Sequence, residues 1–244
     1  MSLSVTVLGC SGSYAGPGEA CSGYLVRSAG ATVVVDLGSG TLANLQSHVE
    51  VGDVDAVVLT HSHPDHWSDL PILRNAMRYV LGLQDLPVYG TAPTLAMARA
   101  VSGEIEPTLR WTVVDESSKV AVGDQRLRFS RTDHPVETLA VRVDAGGRSL
   151  LYTADTGPGW DPAAAGEGVD LLLAEATLPP TYEGTVQHLS GRQAGALAAA
   201  IGAARLVITH VSPGLDDEAQ RRDAEAAFGG PVDVASTNAT FAVS

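Results

Sequence analysis

Thr60-His61-Ser62-His63-Pro64-Asp65-His66 sets three imidazoles and one carboxylate between His61 and His66, directly after the apolar run Ala56-Val57-Val58-Leu59. A buried strand that opens into nitrogen and oxygen donors is what a metal site requires. The strand fixes the backbone, and the turn after it lets alternate side chains converge. Imidazole suits zinc and its first-row neighbours, while a carboxylate neutralises charge and can serve a second ion. The bland alternative is a solvated, histidine-rich turn. The chain has only seven histidines and three of them sit here, so the metal reading is preferred.

Other polar residues stand in the same relation to apolar runs. His134 follows Arg126–Ser130 in Thr132-Asp133-His134-Pro135, Asp155 follows Leu150-Leu151-Tyr152-Thr153-Ala154, and His210 follows Leu206-Val207-Ile208-Thr209. Singly, each is more often a satisfied polar residue at a strand end. Together with His61, in a chain poor in histidine, they point to one shared centre. Asp36 ends the run Val33-Val34-Val35, where an unpaired carboxylate is costly. It either braces the metal loop as a hydrogen-bond acceptor, which is preferred, or caps a helix over Thr41–His48. His48, with no other ligand type beside it, reads as a surface residue.

The predicted strands are Ser4–Leu8, Tyr24–Arg27, Thr32–Asp36, Asp55–Leu59, Leu86–Tyr89, Trp111–Val114, Arg126–Ser130, Leu139–Val143, Leu150–Thr153, Leu171–Ala174, Arg205–Thr209, Val232–Ala235 and Thr240–Val243. Helices are expected over Thr41–His48, Trp67–Leu81, Pro93–Val101, Ser190–Ile201 and Asp216–Phe228. Ser190-Gly191-Arg192-Gln193 is a capping-box pattern. Gly9–Gly18 has neither helical nor strand period, and is either a cradle for a phosphate or a plain connecting turn. Arg74 and Arg78 share a helix face, and either reach a substrate anion or simply solvate the helix, the second being the safer expectation. The segment 103–110 is a candidate lid or rim. No linker or repeat divides the chain, so one domain over residues 1–244 is expected, an α/β fold of two sheets with helices outside.

Forty-five per cent hydrophobic and 18% charged residues describe an ordinary soluble globular protein. No apolar run spans a bilayer and the start reads as a first strand rather than a signal peptide, so a cytoplasmic location without membrane contact is the default. Cys10 and Cys21 are expected to be reduced. A formal charge of −13, with Lys119 as the only lysine, works against a long polyanionic partner, because nucleic-acid affinity rests on neutralising many phosphates. A small-molecule substrate is favoured.

The order His-x-His-x-Asp-His, then His134, Asp155 and His210, resembles the metallo-β-lactamase superfamily over essentially the whole chain. The resemblance implies a four-layer αββα sandwich with its active site at one edge of the two sheets. It also implies two divalent metal ions, zinc first and manganese or iron as alternatives: His61, His63 and His134 on one, Asp65, His66 and His210 on the other, Asp155 bridging. True β-lactamases usually carry Cys at the bridging position, so Asp155 argues against antibiotic hydrolysis. Ala174-Glu175-Ala176-Thr177 and His188-Leu189-Ser190 are similar to paired elements of the ribonuclease Z-like phosphodiesterase branch, which implies that His188, supported by Glu175, serves the leaving group. A carboxylate can orient an imidazole and keep it protonated.

Only 20 residues separate His134 from Asp155, too few for the arm with which that branch grips tRNA. The stretches Val7–Ser13, Ser22–Leu25, His188–Gly191 and Thr209–Pro213 instead resemble atypical class II cyclic-nucleotide phosphodiesterases of high-G+C bacteria. The expectation is therefore hydrolysis of 3′,5′-cyclic AMP or a close relative to 5′-AMP, with Ser11 and Ser190 as phosphate contacts. Related phosphodiesterases are often dimers, and a homodimer is expected on that ground alone. The rivals are a ribonuclease Z-type RNA 3′-end nuclease, a carboxyl-ester or lactone hydrolase, and a metal-bearing nucleotide sensor.

Overall fold

A computed structural model describes residues 3–244. The first half of the chain runs β1 (Ser4–Gly9), β2 (Gly23–Arg27), β3 (Thr32–Leu37), α1 (Thr41–Leu45), β4 (Ala56–Leu59), α2 (Leu70–Ala76), β5 (Leu86–Gly90), α3 (Ala92–Ser102) and β6 (Leu109–Val113). The second half runs β7 (Lys119–Val122), β8 (Gln125–Arg131), β9 (Leu139–Ala145), β10 (Arg148–Tyr152), β11 (Leu171–Glu175), α4 (Gly191–Ala200), β12 (Leu206–Thr209), α5 (Asp217–Phe228), β13 (Val232–Val234) and β14 (Thr240–Ala242). Two seven-stranded sheets result, ordered β14-β1-β2-β3-β4-β5-β6 and β13-β12-β11-β10-β9-β8-β7.

Residues two apart on a strand share a face, and the apolar ones sort accordingly. Val33 and Val35 enter the core between the sheets, where Leu171, Leu173, Val141 and Tyr152 come from the other side. Val34 points the other way, into a second core with Leu45, Leu70, Leu73 and Met77. Leu172 and Ala174 likewise leave the inter-sheet core and pack with Ala194, Ala198 and Ala224 of the helices α4 and α5. The layers are thus helix, sheet, sheet, helix, as the pattern requires. The pair α4 and α5 approaches closely: a Cβ at Gly195 would lie 2.2 Å from the carbonyl oxygen of Ala224.

Several elements differ from the sequence-based expectation. The helix expected over Trp67–Leu81 is a 3-10 turn at Pro64–His66, then α2, then a wider π turn at Met77–Leu81. Pro71 has no amide proton for a helical bond to Trp67, so it must fall in a first turn and α2 starts at Leu70. The helix expected over Thr41–His48 stops at Leu45. Strand β7 adds to the expected set; it is a short edge strand whose Val122 is buried and Val120 packs against the inter-sheet core while Lys119 and Ala121 are exposed, four residues being a brief run for the alternation to mark. Segment 103–110 is not a lid: Ile105, Thr108 and Leu109 are buried and β6 begins inside it. Because β4, β5 and β6 are parallel, a loop entering β6 lies at the opposite end of the sheet from a loop leaving β4. Among the described residues, no helix is long and apolar enough to cross a membrane.

Candidate metal centre

Parallel pairing places Asp36, the histidine loop, His134, Asp155, Glu175 and His210 at one end of the molecule. In the first sheet β3 and β4 run parallel, so Asp36, near the end of β3, meets the histidine loop that leaves β4. In the second, β10, β11 and β12 are parallel, while β8 shares their direction because both it and β10 oppose β9. His134, Asp155, Glu175 and His210 therefore emerge together. Carboxyl ends of strands are the usual ligand-bearing edge of α/β sheets. Asp36, Ala154 and His210 have φ of 58°, 52° and 54°, the left-handed region that costs a non-glycine residue about 1–3 kcal/mol. All three lie where a strand must turn sharply into the centre. Gly12 fits against the turn at His210, since a Cβ there would lie 2.5 Å from the His210 carbonyl oxygen and 2.9 Å from its Nδ1.

Ligand-type atoms of His61, His63, His134 and Asp155 all lie within 4.8 Å of one another, as do those of Asp65, His66 and His210. A third such group joins Asp155, His188 and His210. The orientation of the rings follows from what holds their Nδ1 atoms. His66 Nδ1 donates to Asp36 Oδ2 at 2.7 Å, and His134 Nδ1 donates to the Gln187 carbonyl at 3.1 Å. The Thr60 hydroxyl gives its one proton to Asp36 and so accepts from His61 Nδ1 at 3.0 Å. Thr177 gives its proton to Glu175 at 2.5 Å and accepts from His210 Nδ1 at 2.8 Å. Each of the four imidazoles, in its neutral form, is thereby left with its Nε2 lone pair facing the cluster.

Those lone pairs have no protein donor to meet. His61 Nε2 and Asp155 Oδ1 are buried without a hydrogen-bond partner. His66 Nε2 and His210 Nε2 approach to 3.3 Å, and His134 Nε2 and His63 Nδ1 to 3.1 Å. Buried, unsatisfied nitrogen and oxygen acceptors turned toward one another fit cations. Burial alone would raise the Asp155 and Asp65 carboxyls, yet His210 and His66 hold both well below the usual range. Burial depresses His61, His63 and His134, keeping them neutral as ligands must be. His66 runs the other way: Asp155 and Asp36 flank it, outweigh its burial, and raise it well above its ordinary value in the ion-free protein.

Asp36 is fully buried and accepts from the Thr60 amide and hydroxyl, His66 and the Tyr152 hydroxyl. It braces the histidine loop; the amide at the start of α1 bonds instead to Asp69. His188 Nδ1 donates to Glu175 Oε1 at 2.9 Å, and its ring lies 5.2 Å from His134 and 5.8 Å from His210. Burial opposes protonation of His188, but the Glu175 hydrogen bond and charge raise it to about 9.

Other candidates are engaged elsewhere. The Ser11 hydroxyl donates to Glu19, and Ser190 caps α4 through the Gln193 amide while donating to Glu183. The amides of Cys10, Ser11, Gly12 and Tyr14 are all paired within the fold, which removes them from a phosphate cradle. Arg74 does not solvate its helix: it is buried and donates to the Glu104 carbonyl. Arg78 is exposed beside the Tyr79 ring. His48 bonds to Asn238, outside the cluster. Both cysteines are free, with burial raising their thiols to about 12 and about 11. Thr60 and Thr177, which set two of the ring orientations, are not among the expected site residues; their only signal in the sequence is that Thr60 precedes His61 and Thr177 stands two residues after Glu175.

A family model described as a β-lactamase superfamily domain matches residues 31–211. Rv1339, an uncharacterized protein of Mycobacterium tuberculosis, is 36% identical over 100% of this chain and 93% of its own length. The crystal structure of the metallo-β-lactamase fold protein YhfI from Bacillus subtilis superposes with a TM-score of 0.92 at 29% identity, over 99% of each chain. A ribonuclease Z of Mycobacterium avium is 30% identical over 95% of this chain and 95% of its own.

Proposed function

This chain belongs to the metallo-β-lactamase superfamily, and on that premise we propose that it is a metal-dependent hydrolase of small phosphodiesters, with 3′,5′-cyclic AMP as its foremost substrate. His61, His63 and His134 would hold one divalent ion and Asp65, His66 and His210 a second, with Asp155 reaching both. Zinc suits this donor set first, and manganese or iron would be accepted by the same atoms. When bound, such ions neutralise phosphoryl charge and lower the pKa of a water to about 7.

The observation that carries the phosphodiester reading is the 2.9 Å hydrogen bond from His188 to Glu175 beside the cluster. With Nδ1 fixed on the carboxylate, Nε2 is the atom from which a proton can pass to a departing ester oxygen. Hydrolysis of a carboxyl ester or lactone gives no comparable reason for the pair. A ribonuclease Z reading is supported by the 30% identical Mycobacterium avium relative. The net charge of −13 and the short span from His134 to Asp155 weigh against it.

The test is an assay of protein loaded with zinc, manganese or iron against cyclic nucleotides, bis(4-nitrophenyl) phosphate and precursor tRNA. Cyclic AMP should yield 5′-AMP, and His188→Ala should lower turnover by about 100-fold or more with metal content unchanged by elemental analysis. Cleavage of precursor tRNA alone would transfer the assignment to the RNA nuclease. Parallel loss of metal and turnover in the variant would make His188 a ligand rather than the acid.

A further inference from the structure

Resting on the phosphodiesterase reading above, we infer that the loop from Leu178 to Ser190 forms an apolar subsite for the organic group of the leaving alcohol, with Val186 and Tyr182 as its contact residues. Ten large apolar side chains are strongly exposed among the described residues. Seven fall between Ile72 and Val113, on α2, the turn after it, α3 and β6. The other three, Tyr14, Tyr182 and Val186, lie on the two loops that adjoin the metal cluster. Tyr14 bonds back to Gly12, the residue packed on His210. Tyr182 and Val186 belong to the loop that delivers His188. Isolated exposed apolar residues need no explanation, but this distribution leaves only the site-bordering loops with such residues outside the α2–β6 face.

The loop is framed rather than loose. The Leu178 amide donates to the Leu189 carbonyl at 2.9 Å and Leu178 pairs with Ser190, closing the base. Glu183 accepts from the Ser190 hydroxyl and from the Arg192 guanidinium, bracing one limb. On the other limb, the Gln187 carbonyl orients His134 and Glu175 holds His188. Val186 is across a tight turn from the acid, because its carbonyl accepts the His188 amide at 2.9 Å. The amide and hydroxyl of Thr185 both bond to the Tyr182 carbonyl, so Tyr182 opens the turn that leads into Val186. The His188 side chain is 18% exposed, whereas those of His61, His66, His134 and His210 are 2% or less. His63 and Asp65 are also partly exposed, so solvent and ligand meet the centre along the edge that runs from the histidine loop to His188.

The chemistry puts the leaving group there too. A water oxygen bonds to phosphorus, the ester P–O bond breaks, and the His188 proton ends on the alcohol oxygen. The proton lost by the water restores His188 through solvent. The carbon attached to the protonated oxygen must then lie beside His188, and Val186 and Tyr182 are the exposed apolar residues of the loop that carries that histidine. An aryl or heterocyclic alcohol gains from that contact, and a methyl group does not.

Methylphosphonate and phenylphosphonate share one headgroup and separate the two claims by calorimetric binding to the zinc-loaded protein. Phenylphosphonate should bind about tenfold more tightly, and in the Val186→Ser/Tyr182→Ser double variant the ratio should fall to about one while methylphosphonate binding and zinc content stay unchanged. Equal affinities in the unaltered protein, or a ratio that survives the double variant, would overturn the subsite and leave the phosphodiesterase reading standing. Binding of neither phosphonate, together with no phosphodiester turnover, would remove that reading and the subsite with it.

Discussion

Glu175 has no exposed surface, yet its two oxygens accept from the Thr156 amide, the Thr177 hydroxyl, His188 and the Leu189 amide. Four donors stabilise a buried carboxylate that would otherwise be costly. Through Thr177 it also fixes the His210 ring. An acid must be protonated to act, and His188, raised to about 9, carries its proton below that value and loses it as pH rises through it. Removing the carboxylate lowers that pKa. Glu175→Gln is therefore expected to shift the basic limb of the kcat–pH profile to lower pH, measured on bis(4-nitrophenyl) phosphate. A limb that stays in place would belong to another group. The metal-type residues could be read from the sequence because their identities are rare and their positions after apolar runs repeat. Thr60 and Thr177 could not, since a hydroxyl acquires its role only from which neighbour takes its proton.

The α4–α5 pair shows how small residues set the distance between elements. Gly191 and Gly195 face α5, and a Cβ at either would fall 2.2 Å from a carbonyl oxygen of Gln220 or Ala224. At a solvated helix position, Gly→Ala stabilises by up to about 1 kcal/mol. Here the added methyl meets backbone rather than a flexible side chain, so overpacking of about 1–3 kcal/mol should win. Gly195→Ala is expected to lower the midpoint of denaturant unfolding; a raised midpoint would mean that the helices can separate. Helix α4 was legible from its capping box, which the structure contains in full. The segment after His66 was not, because an apolar 3.6 period runs unbroken across Pro71 while the backbone cannot. Strand β7 is held by its pairing with β8 and by Val120 and Val122 against the inter-sheet core, a signal of only two residues.

Across the whole molecule, the four-layer arrangement could be read from strand alternation and from the resemblance carried by the histidine motif. The sheet order could not, because β14 leaves the second half of the chain to pair with β1, a contact with no local signature. The donor set divides at the same boundary. His61, His63, Asp65 and His66 come from a loop of the first sheet, and His134, Asp155 and His210 from loops of the second. The connection between β6 and β7 is an exposed turn around Asp115 and Glu116. Separately produced fragments 1–116 and 117–244 would each carry an incomplete donor set. Zinc should then tighten their association by about tenfold or more, as a ligand that binds the assembled state much more tightly than either half does, and co-elution in zinc compared with EDTA measures it. Equal pairing under both conditions would show that the inter-sheet core alone does the joining. With zinc-dependent pairing, turnover becomes a count of reunited halves, and the centre serves as a reporter of complementation between two polypeptides.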